Sequence, residues 1–127
     1  MDLVTVFKDY PHVQNKAPGE LIFEQGSRGS EMYVILEGEV ELTVNDSVVA
    51  VLGAGEFLGE MALMDNQARS AAATAKTPCR LASLTKHRFL IMVQKTPFFA
   101  LHVIRVFTER LRRMNDRLVE LEAQVKE

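Results

Sequence analysis

Between Pro18 and Leu84 the apolar residues come in short runs, each closed by glycine or a polar turn. Leu21-Ile22-Phe23 leads into Gln25-Gly26, and Met32-Tyr33-Val34-Ile35-Leu36 into Glu37-Gly38. Val40, Leu42 and Val44 then alternate with Glu39, Glu41 and Thr43, a period of two that predicts a half-buried strand. Asn45-Asp46 marks a hairpin turn, Val48 to Leu52 reads as the return strand, and Gly53-Ala54-Gly55 ends it. Ala71 to Thr74 and Arg80 to Leu84 supply two more strands, joined across Lys76-Thr77-Pro78. Strands this short, punctuated roughly every ten residues, predict an all-β centre of sandwich or barrel type.

After Leu84 the period changes. Thr85 can cap a helix over Lys86 to Lys95, with Phe89, Leu90 and Val93 on one face. Thr96-Pro97 opens a second, longer helix, since proline is tolerated in a first turn. Along it Ile104, Phe107, Leu111, Met114, Leu118, Leu121 and Val125 recur at alternating spacings of 3 and 4. A β domain covers only the first turns of so long a helix. The heptad seam therefore predicts a homodimer through two parallel helices. Ahead of Pro18, Val4, Phe7 and Tyr10 have room for only a brief helix. The expected layout is one domain over 1–127, with a short leading segment at 1–17, the β centre at 18–84 and helices at 85–127.

Composition narrows the class. The 127 residues are 25% charged and 47% hydrophobic, with formal net charge -2 and one cysteine. These fractions exclude a disordered chain. No run reaches the roughly 20 apolar residues of a membrane span, and the N-terminus has no secretory pattern. With Cys79 unable to form an internal disulfide, a soluble cytoplasmic protein is expected. From Pro18 to Asp65 ten acids face a single base, Arg28. Such a surface repels a nucleic acid backbone. Arg105, Arg110, Arg112, Arg113 and Arg117 are interleaved with Glu109, Asp116 and Glu120, the pattern of a solvated helix face. Direct nucleic acid binding is therefore not expected. His12, His87 and His102 are scattered and pair into neither a metal site nor a nucleophile–base constellation, so no enzyme and no metal are expected.

The stretch that carries chemistry runs from Gly55 to Ala72. A strand ends near Phe57, Gly59 lets the backbone turn sharply, and a short helical turn from Glu60 to Met64 opens on backbone N–H groups that suit an anion. Arg69 can return to that place and offer a fork of donors to two oxygens of one phosphate, with the Ser70 hydroxyl beside it. Glu60 would repel a bare anion, but it suits a ligand that also offers hydroxyl donors. An anion and a diol within a few ångströms describe a nucleotide.

These residues resemble the cyclic nucleotide-binding domains of cAMP-dependent protein kinase regulatory subunits, catabolite activator proteins and cyclic nucleotide-gated channels. The match lies in Pro18-Gly19-Glu20-x-Ile22-Phe23-x-x-Gly26, Tyr33-x-Ile35-x-x-Gly38-x-Val40, Gly55-x-Phe57-x-Gly59-Glu60-x-Ala62-Leu63 and Arg69-Ser70-Ala71. It covers about Pro18 to Pro97. The resemblance implies a jelly-roll-like antiparallel β-roll, mainly β with flanking helices, and a phosphate-binding cassette over 55–72. It implies that Glu60 accepts from the ribose 2′-hydroxyl and Arg69 pairs with the cyclic phosphate. Gly59, Met61 and Ala62 would line the ribose and phosphate, with Ser70 and Ala71 flanking the arginine. Val49, Leu58 and Ala72 would wall the base, and Arg113, Met114 and Asn115 would cap it, so that capping and dimer packing share Met114. Ligand phosphate would draw Arg69 and its loop inward, and the C-terminal helices would re-pack.

Threonine at the Ser70 position accompanies cGMP preference in the family, whereas serine also occurs in cAMP-binding transcription factors. The expected ligand is cAMP, with cGMP second and no further cofactor. Ala68 stands where proline is common before the arginine. A fold that keeps the shape but serves only as a dimerisation scaffold is the alternative.

Overall fold

The computed structural model describes residues 1–65 and 67–126. The chain begins with a one-turn helix, α1 (Leu3–Val6), capped by the Asp2 carboxylate on the Val4 N–H. Eight strands follow: β1 (Val13–Lys16), β2 (Leu21–Phe23), β3 (Glu31–Glu37), β4 (Val40–Val44), β5 (Ser47–Leu52), β6 (Phe57–Leu58), β7 (Ala72–Ala75) and β8 (Cys79–Thr85). A 3₁₀ turn, Glu60–Leu63, stands between β6 and β7, and the chain ends in α2 (Lys86–Lys95) and α3 (Phe98–Lys126). The strands make two antiparallel sheets, ordered β1-β8-β3-β6 and β2-β7-β4-β5. This is the expected β-roll.

Burial alternates along β7, where Ala73 and Ala75 are buried and Ala72 and Thr74 half-buried. In β4, where period two was expected, Val40 is buried but Leu42 and Val44 are half-buried like Glu41 and Thr43. Tyr33 and Ile35 of one sheet meet Val40, Ala73 and Ala75 of the other, with Leu58, Cys79 and Leu81 completing the cluster. Each large apolar side chain buried there contributes about 1.5–3 kcal/mol. At the β4–β5 turn Asn45 and Asp46 both have positive φ (50° and 67°), the geometry that matches a two-residue hairpin to sheet twist. Gln25 clasps this tip with both ends of its amide.

Two boundaries differ from the expectation. Val13–Lys16, expected within the leading segment, is an edge strand paired with Cys79–Ala82 of β8. Its one apolar residue shows no alternation, and only the partner strand makes it β. The long helix begins at Phe98, with the Thr96 and Pro97 carbonyls accepting from Phe99 and Ala100 as its lead-in. The other helix lies where expected, and Thr85 Oγ1 accepts from the Arg88 N–H as its cap.

By its contacts the chain forms one unit over Asp2–Phe89 and another from Leu90 onward. In the second, α3 buries Phe99 and Val103 but exposes Ile104, Leu111, Met114, Leu118, Leu121 and Val125. No single helix is long and apolar enough to cross a membrane.

Candidate functional site

The site is assembled around Arg69. Strand β6 pairs Phe57 and Leu58 with Val34 and Tyr33 of β3, which brings Gly59 beside the start of β3. Gly59 then turns the chain at φ 75°, a left-handed conformation that side chains resist. Its carbonyl accepts from the Ala62 N–H at 3.2 Å and from Arg69 Nη1 at 3.0 Å. Arg69 Nη2 donates to the Glu31 carbonyl at 2.7 Å. On the backbone, the Arg69 N–H donates to the Ser27 carbonyl and the Gly26 N–H to the Arg69 carbonyl, at 2.7 and 2.8 Å.

Apolar and steric contacts fix the same side chain. Its guanidinium carbon lies 4.2 Å from the centre of the Phe23 ring, and Phe23 stacks on Tyr33. Glycines frame it on two sides. A Cβ at Gly29 would come within 2.6 Å of Nη2, and one at Gly59 within 2.7 Å of Nη1.

The electrostatics of this arrangement are incomplete. Arg69 is only 9% exposed, and among the described residues no acid forms an ion pair with it. Two carbonyls and a ring face meet its charge, and Nε is buried with no acceptor. An unspent donor on a buried cation costs free energy until an acceptor reaches it.

Of the other expected site residues, Glu60 is half-buried at the start of the 3₁₀ turn, Met61 is exposed and Ala62 half-buried. Ser70 is exposed and Ala71 half-buried next to the arginine. Ala72 pairs with Thr43 of β4. Val49 is exposed at an irregularity of β5, where the pairing steps from Leu42↔Ala50 to Thr43↔Val48. Leu58 is packed into the core cluster and is only 3% exposed. Arg113, Met114 and Asn115 are all exposed on α3.

Sequence reasoning missed Glu31 and Gly29. Glu31 acts through its carbonyl, which any residue carries, so its type gave no signal. Gly29 stood in a glycine-containing loop whose closeness to Arg69 only the fold shows. Burial pushes the Tyr33 hydroxyl above its ordinary range, and the Glu31 carboxylate adds to this. Burial likewise raises the Cys79 thiol, which donates to the Glu39 carbonyl. Among the described residues no group of three or more His, Cys, Asp or Glu side chains could hold a metal.

Comparison with known proteins places this geometry in context. Residues 13–96 match the family described as Cyclic nucleotide-binding domain. The chain is 33% identical over 99 residues to the Cyclic AMP receptor protein of Thermus thermophilus, covering 74% of this chain and 46% of that protein. It is 38% identical over 92 residues to a cyclic nucleotide-gated potassium channel of Rhizobium etli, covering 72% of this chain and 26% of the channel. Among solved structures, the Thermus thermophilus catabolite activator protein superposes with TM-score 0.81 at 28% identity, over 95% of this chain and 59% of that one. The chain spans about half the length of the cyclic AMP receptor relatives that it matches.

Proposed function

The chain belongs to the cyclic nucleotide-binding domain family, and from that membership we propose that it binds cAMP and acts as a non-enzymatic sensor module in the cytoplasm. The observation that carries the reading is the buried Arg69 guanidinium with Nε unspent. A cyclic phosphate oxygen accepts from Nε, and a second accepts from an Nη hydrogen not already given to Gly59 or Glu31. The pair is charge-assisted and in a partly dry site, where such bonds are strongest.

Glu60 accepts from the ribose hydroxyl, which is why an acid is tolerated beside an anion. Backbone groups of Gly59, Met61, Ala62 and Ala71 and the Ser70 hydroxyl complete the contacts. Val49 and Ala72 offer apolar surface to the base, with Leu58 behind them. Ser70 leaves cGMP as the second ligand, and relatives of both kinds occur, including a cGMP-dependent protein kinase of Plasmodium berghei. Ligand binding alters the packing of the helices after Leu84, by as much as its affinities for the two arrangements differ.

Calorimetric titration of the purified chain with cAMP and then cGMP tests the proposal, with Arg69→Ala alongside. Micromolar or tighter binding of cAMP is expected, weakened about tenfold to more than a hundredfold in the variant, the worth of a charge-assisted pair. Absence of heat with either nucleotide in folded protein would overturn it in favour of a scaffold.

A further inference from the structure

Arg69 is held at the far end of a line of hydrogen bonds that leaves the nucleotide site altogether. The line starts at Glu31, the first residue of β3. Its carbonyl accepts from Arg69 Nη2, and its carboxylate accepts from the Ser83 hydroxyl on β8. Ser83 is 4% exposed, and its backbone is engaged as fully as its side chain. Its N–H donates to the His12 carbonyl at 2.9 Å, and its carbonyl accepts from the Tyr10 hydroxyl at 2.7 Å.

Tyr10 packs edge-on against the fully buried Phe7, 5.1 Å between ring centres, and Leu3 of α1 is buried too. Four residues, Arg69, Glu31, Ser83 and Tyr10, thus connect the site arginine with the N-terminal segment.

We propose that Glu31 and Ser83 are positioning residues for Arg69, and that through Tyr10 they couple nucleotide affinity to the docking of the N-terminal segment. The physical reason lies in what Glu31 joins: its backbone pairs with Thr85 of β8 where β3 begins, and its side chain adds the bond to Ser83. The preceding loop carries Gly26 and Gly29 and meets Arg69 backbone to backbone. The Glu31–Ser83 bond ties this loop to the central strand pair of its sheet. Because Ser83 is buried, losing either partner leaves a polar group unpaired and lets the Glu31 carbonyl drift from Nη2. The arginine then loses preorganisation and so affinity. Coupling is reciprocal, so bound nucleotide tightens the Tyr10 and His12 bonds to Ser83 by the same factor. This rests on the nucleotide reading for its outcome but not for its geometry.

The test compares the full chain with Tyr10→Phe, Ser83→Ala, Glu31→Ala and Glu31→Gln. Tyr10→Phe keeps the ring on Phe7 and removes one hydroxyl, so it survives as a folded variant if Ser83→Ala does not. Two readouts are taken: hydrogen exchange of the Arg69 amide without nucleotide, and cAMP affinity. Faster Arg69 exchange is expected in Tyr10→Phe, Ser83→Ala and Glu31→Ala, with affinity weakened about two- to thirtyfold. Glu31→Gln, which keeps an acceptor for Ser83, is expected to stay near the parent. In an Arg69→Lys background Tyr10→Phe is expected to add nothing. Unchanged Arg69 exchange in the folded Tyr10→Phe and Ser83→Ala variants would overturn the coupling. A parent that fails to bind cAMP would overturn the ligand reading instead, and the exchange measurement would still decide this one.

Discussion

Arg69 spends two donors on the Gly59 and Glu31 carbonyls and keeps Nε buried without an acceptor. The expectation that Arg69 pairs with a phosphate came from its type and its spacing after Glu60, without coordinates. What the sequence could not supply was the cage: two glycines pressed on the guanidinium, a carbonyl from a distant strand and the Phe23 ring. Backbone acceptors have no residue signature, and proximity across 38 positions belongs to the fold.

Gly59 gives the sharpest residue-level prediction. Gly59→Ala forces a side chain into left-handed backbone, at about 1–2 kcal/mol, and drives its Cβ into Nη1. Gly19 has a similar φ of 85° with nothing within 4 Å, so Gly19→Ala carries the strain alone. Both variants are expected to melt earlier in calorimetry, but only Gly59→Ala should also lose cAMP affinity, by tenfold or more. Equal affinity in the two would show that the arginine does not need that contact.

At the scale of elements, periodicity located strand β4 and helix α2, the latter to its cap at Thr85, but not their burial: β4 buries Val40 alone and α2 leaves Leu90 exposed. It did not locate strand β1, because an edge strand with polar sequence takes its form from its neighbour. Helix α3 carries an exposed apolar row. Ile104, Leu111, Met114, Leu118, Leu121 and Val125 are each between 47% and 86% exposed at heptad spacing. Phe107 completes the seam. Burying such a row between two copies of the helix removes it from water. We expect sedimentation of the purified chain at tens of micromolar to give a dimer, and Leu118→Glu to give a monomer that still binds nucleotide. A parent that sediments as a monomer would refute the seam.

The whole molecule was legible in outline because several weak signals agreed: short strands, spaced glycines, the cassette from Gly55 to Ala72 and a long helix. The two-sheet order and the line from Arg69 through Glu31 and Ser83 to Tyr10 were not legible, since they depend on which strands become neighbours. On the proposed reading the acidic middle of the chain fits too, since one buried cation would focus anion binding in a surface that otherwise repels it. That focus is the central claim, and the Arg69 Nε–H resonance in ¹⁵N-labelled protein tests it most directly. On adding cAMP the resonance is predicted to shift and to exchange more slowly with solvent, as a donor gaining a phosphate oxygen does, while adenosine, which lacks the phosphate, leaves it in place. A resonance unmoved at saturating cAMP, or moved equally by adenosine, would contradict the account.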